Sequence, residues 1–220
     1  MALVDFMGGL HTSTKRDYVR RVNEHEKAKC AEIACQWGKD YWDGERHLGY
    51  GGYKYDGRWR AIAQAMAKKY NLQPGARILD VGCGKGFLLY EFTQILPGAT
   101  VAGIDISQYA IDNAKPEVKP FLRQGHACQL PYADGEFDFV LTINTLHNLY
   151  NYELWDALKE MQRVGKGAKH VTVESYRNER EKANLLYWQL TCRAFLCPKE
   201  WEWLFAQTGY TGDHGYIFFE

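Results

Sequence analysis

The chain has 220 residues, 46% hydrophobic and 25% charged, enough for one sizeable core and without any run approaching the roughly 18 apolar residues of a membrane span. Lys plus Arg and Asp plus Glu number 27 each, so no net positive field gathers a phosphate backbone, and nucleic acid is excluded as an expected partner. The six cysteines, at positions 30, 35, 83, 128, 192 and 197, show neither C-x-x-C nor zinc spacing, which predicts reduced thiols and no metal site.

The start, MALVDFMGGLHTSTKR, lacks the basic and longer apolar segments of a secretory signal, and a cytoplasmic chain is expected. Residues 15–36 have a loose helical periodicity through Tyr18, Val22, Ala28, Ala31 and Ala34/Cys35, predicting one or two surface helices. WGKDYWDGERHLGYGGYKYDGRW, 37–59, mixes glycines with Trp and Tyr; the glycines argue against regular structure and the rings against a mere spacer, so a functional loop or lid is predicted. RAIAQAMAKKY, 60–70, reads as helix.

Strand and helix then alternate: a strand at 76–81, a helix over 86–96, a strand at 100–105, a helix capped by Ser107, strands at 121–127 and 137–143, a helix over 152–163 and a strand at 169–175. That rhythm predicts an α/β doubly wound, mostly parallel sheet with right-handed crossovers. Beyond it come a long helix near 178–195, a second opened by Pro198 and closed by Gly209, and a terminal strand GYIFFE. With no repeats or Pro/Ser linkers, one domain is expected over 1–220, made of N-terminal helices and lid (1–59), a cofactor-binding core (60–175), and substrate-side helices with the terminal strand (176–220).

The stretch ILDVGCGKGFLLYEF places glycines at 82, 84 and 86 after an apolar strand. Such a turn admits close approach to the backbone and offers the next helix's N–H groups to a ligand. The dinucleotide fingerprint G-x-G-x-x-G would need glycine at 87, where Phe87 stands, so the register D-x-G-x-G-x-G favours a different adenosine ligand. Asp105, ending VAGID, follows Gly86 by 19 positions, near the spacing of about 20 at which an acid reaches ribose hydroxyls in the same crevice.

These motifs, with GHACQLPYADGEFDFVL and INTLHNL, resemble the class I S-adenosylmethionine-dependent methyltransferases of small-molecule type, over roughly residues 60–175. The resemblance implies a seven-stranded Rossmann-like sheet and S-adenosylmethionine as cofactor. It assigns cofactor contact to Asp80, Gly82, Cys83, Gly84, Gly86, Asp105, Ile106, Ala127, Cys128 and Asn144. One departure is His126, where many relatives carry an acid that bonds the adenine amino group.

A sulfonium methyl is already activated, so the protein must chiefly align the reacting atoms and exclude water. A hydroxyl acceptor also needs a base; an amine needs one less. His147 and Glu174, both at the carboxyl edge of the predicted sheet, are the two candidate bases. A pocket-lining His and an amine-binding or solvated Glu are the alternatives. Tyr53, Arg58 and Trp59 from the lid, and Tyr176 and Arg177 from the tail, are candidate substrate contacts; a satellite hydrophobic cluster and solvated arginines are the alternatives. The arginines point to an acidic or phosphorylated acceptor. NTLH lacks the Asn-Pro-Pro-aromatic pattern of enzymes that methylate a base amine. Methyl transfer to a small molecule, oxygen before nitrogen, is thus expected, against a non-catalytic cofactor-binding module or an NAD-dependent oxidoreductase.

Overall fold

A computed structural model describes residues 1–12 and 16–220. Six parallel strands form one sheet: β1 (Arg77–Val81), β2 (Thr100–Asp105), β3 (Leu122–Gln124), β4 (Phe137–Ile143), β5 (Gly165–Glu174) and β6 (Asp213–Ile217), in the order β3-β2-β1-β4-β5-β6. From β1 the chain winds outward to β2 and β3, then crosses back to β4 on the other side of β1. The carboxyl ends of β1 and β4 therefore flank a crevice, the topological switch point at which open α/β sheets bind ligands.

Side chains alternate across β1, Ile78 entering one core and Leu79 and Val81 the other. The first core is closed by α5 (Trp59–Lys69), α6 (Phe87–Ile95), α7 (Gln108–Asp112) and α9 (Glu179–Trp188), which contribute Met66, Phe92, Ile111 and Leu185. The second is closed by α8 (Asn151–Val164) and α10 (Pro198–Thr208), with Leu158, Met161, Trp201 and Phe205. Caps agree with the sequence: the Ser107 side chain accepts from Ala110 N–H, and Gly209 closes α10 in the left-handed region. All six cysteines are free. No helix among the described residues is long and apolar enough to cross a membrane.

Four expectations are corrected. The sheet has six strands, not seven, because the residues after β6 meet side chains rather than a returning strand. The carbonyls of Phe218, Phe219 and Glu220 accept from His11 Nε2 (2.9 Å), Asn184 Nδ2 (3.0 Å) and Tyr18 Oη (3.2 Å). Leu3 pairs in parallel with His214 and covers part of the outer edge of β6. β3 is confined to Leu122–Gln124. The tail helix stops at Trp188 because the chain beyond is drawn over β4, where the His147 carbonyl accepts from both Arg193 N (2.8 Å) and Ala194 N (3.0 Å).

In the N-terminal part, the predicted one or two helices are α2 (Tyr18–Glu24) and α3 (Lys27–Ala34), preceded by α1 (Gly8–Thr12); Lys15, at the start of the predicted span, lies outside the described residues. The fourth correction is that the glycine-rich stretch holds a one-turn helix, α4 (Lys39–Asp43).

Candidate active site

Three adjoining cavities open along the carboxyl edge of β1, β2, β4 and β5, and Asn144 and Tyr50 line all of them. One, of about 200 Å³, lies over the ends of β1 and β2, with Asp105, Ile106, His126, Ala127 and Glu153 in its wall. A second, of about 420 Å³, follows the glycine turn past Asp80, Cys83 and Gly84 to Tyr53, Arg58 and Trp59. The third, of about 150 Å³, runs from Asn144 to His147 and Glu174.

The glycine turn is shaped by what crowds it. Gly82 has φ +82°, and a Cβ there would overlap the Thr145 side chain. A Cβ on Gly84 would meet the Trp42 ring at 2.9 Å; one on Gly86, which lines none of the cavities, would meet Val118 at 2.9 Å and Leu122 at 3.0 Å. Gly82→Ala combines backbone strain of about 1–3 kcal/mol with displacement of Thr145. A melting temperature lower by roughly 4–10 °C is expected for a chain of this size, measured by calorimetry.

Asp105 stands at the crevice with both carboxylate oxygens engaged by backbone: Oδ2 accepts from Gly84 N (2.7 Å) and Oδ1 from Ser107 N (2.8 Å). These bonds lock the turn and aim the carboxylate into the first cavity. Asp80 is buried, lines the second cavity, and has its carboxyl pushed up to about 8, first by burial and then by the charge of Asp105. A cationic amino group beside it would restore the ionised form. His126 Nε2 lies 3.8 Å from Glu153 Oε1, so the acid missing from the expected position arrives from the first turn of α8. Cys128 sits behind the wall, its thiol on the Glu153 carbonyl at 3.1 Å.

Asn144 is the one strained residue at the junction. Its backbone is left-handed (φ 57°), a conformation that costs a non-glycine residue about 1–3 kcal/mol and is held here by a bond from Asn144 N to the Thr172 carbonyl (3.0 Å). Its side-chain Oδ1 is buried with no hydrogen-bond partner, on a residue that lines all three cavities. An orphan acceptor in a cavity wall is a group that a ligand donor could satisfy.

His147 and Glu174 are brought together. His147 is 1% exposed, and its Nδ1 accepts from Glu174 N (3.3 Å), which leaves the neutral ring's proton on Nε2, 3.4 Å from Glu174 Oε2. Burial holds the imidazole down to about 3. Burial likewise pushes Glu174 up to about 8, partly offset by the hydrogen bond from Gln189 Nε2 to Oε1. Oε2 has no aligned donor.

The aromatic segment folds over the crevice. Trp42 Nε1 donates to Ser107 Oγ (2.9 Å), Trp42 stacks on Tyr50 with centroids 5.2 Å apart, and the buried Lys85 ammonium is held by Asp43 (2.6 and 2.7 Å) and the Tyr53 carbonyl (2.9 Å). Asp43→Asn removes the counter-charge of Lys85, and cleavage within 37–59 by a limiting protease is expected to quicken by roughly ten-fold.

Of the tail residues, Tyr176 packs against the first core, and Arg177 is paired with Glu181 and Glu220; neither lines a cavity. Tyr41, Trp42, Glu153, Thr145 and the arginines at 16, 21 and 46 line the cavities without having been marked by any motif.

Residues 79–171 match the family model described as a methyltransferase domain. The match runs from β1 into β5, the part of the chain that holds the glycine turn and the crevice. The chain is 35% identical over 126 residues to a demethylmenaquinone methyltransferase of Halalkalibacterium halodurans, covering 54% of this chain and 51% of that one. It is 31% identical over 151 residues to a 2-phytyl-1,4-naphtoquinone methyltransferase of Synechocystis, covering 64% and 63%. The chain thus spans about half the length of the first relative and under two thirds of the second. The YcgJ protein of Bacillus subtilis shares this fold, with TM-score 0.55, 20% identity and 66% of each chain covered.

Proposed function

We propose that this methyltransferase chain transfers a methyl group from S-adenosylmethionine to a small-molecule acceptor, with an oxygen-bearing acceptor preferred to an amine. The observation that supports it is the meeting of the three cavities at Asn144 and Tyr50, with Glu174 in the wall of the third. The residues fit the cofactor. Asp105 would take the ribose hydroxyls, Ile106, His126 and Ala127 would flank the base with Glu153 beside them, and Asp80, with the bare turn from Gly82 to Gly84, would receive the aminoacyl end. Asn144 offers its orphan carbonyl at the junction between them. The bound cofactor supplies an electrophilic methyl on a sulfonium, and Tyr50 and Trp42 offer ring faces that favour such a cation.

Glu174 is the base. Its carboxylate, once ionised, takes the acceptor's hydroxyl proton on Oε2, while His147 braces the same residue from behind, its Nδ1 accepting from the Glu174 backbone N–H. His147 is thereby a positioning residue, its one lone pair already used. The relatives named for quinones make hydroxylated aromatic rings the first class to try. An acceptor screen coupled to S-adenosylhomocysteine release tests the reading; turnover with amines alone, or none across hydroxylated and amine acceptors despite cofactor binding, would contradict it.

A further inference from the structure

The third cavity carries a charge pattern that methyl transfer does not require. The guanidinium carbons of Arg21, Arg16 and Arg46 lie 4.6, 5.2 and 5.4 Å from the centroid of one indole, Trp188, and all three arginines line the cavity with Glu174. Among the described residues, neither Arg21 nor Arg46 forms an ion pair with a carboxylate. Arg21 donates only to the carbonyls of Arg46 (3.4 Å) and His47 (3.3 Å), and Arg46 only to those of Gly49 (2.7 Å) and Tyr50 (3.1 Å). Arg16 is engaged by the His11 carbonyl and Nδ1 (3.1 and 3.2 Å).

Three like charges gathered on one ring repel, and all three guanidiniums are held below their usual range, chiefly by burial. Among the described residues, the one acid lining the cavity is Glu174, which even when fully ionised would balance only one of Arg21 and Arg46. What remains is a net positive, ring-walled recess with forked donors to spare, which is the chemistry that recognises carboxylate or phosphate.

We propose that Arg21 and Arg46, stacked on Trp188, form an anion subsite that binds a carboxylate or phosphate group on the methyl acceptor and turns its hydroxyl towards Glu174. The subsite rests on the methyl-transfer reading of the adjoining crevice. It also sets this chain's acceptor apart from an uncharged quinone ring. The arginines that hold the anion come from α2 and the lid, not from the tail.

The test is calorimetric titration of the full chain, saturated with S-adenosylhomocysteine, with 4-hydroxybenzoate, 4-hydroxybenzyl alcohol and inorganic phosphate. The expected result is that 4-hydroxybenzoate binds about ten-fold or more tighter than the alcohol, and that Arg21→Gln removes this advantage with melting temperature and S-adenosylhomocysteine affinity unchanged. Arg46→Lys, which keeps the charge and loses the fork, is expected to weaken binding about ten-fold. Phosphate binding that depends on Arg21, without binding of the benzoate, supports the subsite and assigns it to phosphorylated acceptors. Equal affinity for acid and alcohol, no binding of either anion, or an anion affinity indifferent to Arg21→Gln would overturn the proposal. Arg21-dependent anion binding in a chain that takes no S-adenosylhomocysteine would leave the subsite standing and remove the methyl-transfer reading instead.

Discussion

Glu174→Gln is expected to lower turnover by about 10²–10⁴-fold while leaving S-adenosylhomocysteine affinity unchanged. Glutamine keeps the shape and the backbone N–H that meets His147, so the fold around β5 is retained; what it loses is the ability to accept a proton on Oε2. The pH profile sharpens the test. Burial holds the Glu174 carboxyl at about 8, so the reactive ionised form grows as pH rises towards that value. Turnover should climb about ten-fold per unit below it and level off above. A base with the ordinary imidazole value would instead level off near 6.5. Steady-state rates of the wild type from pH 6 to 9, beside those of the glutamine variant, separate the two. A wild-type plateau already reached at pH 7, or full activity in the variant, would remove Glu174 from the role.

Asp105→Ala should weaken S-adenosylhomocysteine binding by about 1–3 kcal/mol, roughly 10- to 100-fold in Kd. The same change strips the acceptor from Gly84 N and Ser107 N, so a fall in melting temperature accompanies it. Asp105→Asn separates the effects: its one remaining oxygen can still hold one of the two N–H groups, and the variant should recover part of the stability and little of the affinity. Calorimetric titration of both variants reads this out. Unchanged affinity in Asp105→Ala would show that the ribose lies elsewhere.

The parts of the site that the sequence disclosed are those whose physics is local. An apolar strand, a side-chain-free turn and an acid one strand later must follow each other at fixed offsets to meet in one crevice, so the motif resemblance could point to Asp80, Gly82, Gly84 and Asp105, which the structure places in the cavity walls. What stayed hidden depends on contacts between distant positions. Nothing near Trp42 in the chain foretells its bond to Ser107, 65 residues away. Glu153 caps α8 in the structure, and only the crossing of α8 over the β4 end brings it beside His126. Nothing in the sequence singles out the arginines of the third cavity, because Trp188, on which they stack, is some 140–170 positions later in the chain. The tail misled for a related reason: 178–195 has good helical composition, yet two bonds to the His147 carbonyl outweigh about two turns of helix.

The whole account turns on an adenosyl sulfonium compound seating between Asp105 and the bare turn at Gly82. Calorimetric titration of the wild-type chain with S-adenosylhomocysteine, with reduced nicotinamide dinucleotide as the control ligand, addresses that directly. The expected result is one-to-one binding of S-adenosylhomocysteine with release of a proton at pH 7, as the Asp80 carboxyl, held at about 8 in the free protein, ionises beside the ligand's amino group. No heat with S-adenosylhomocysteine, or saturable binding of the nicotinamide in its place, would contradict it.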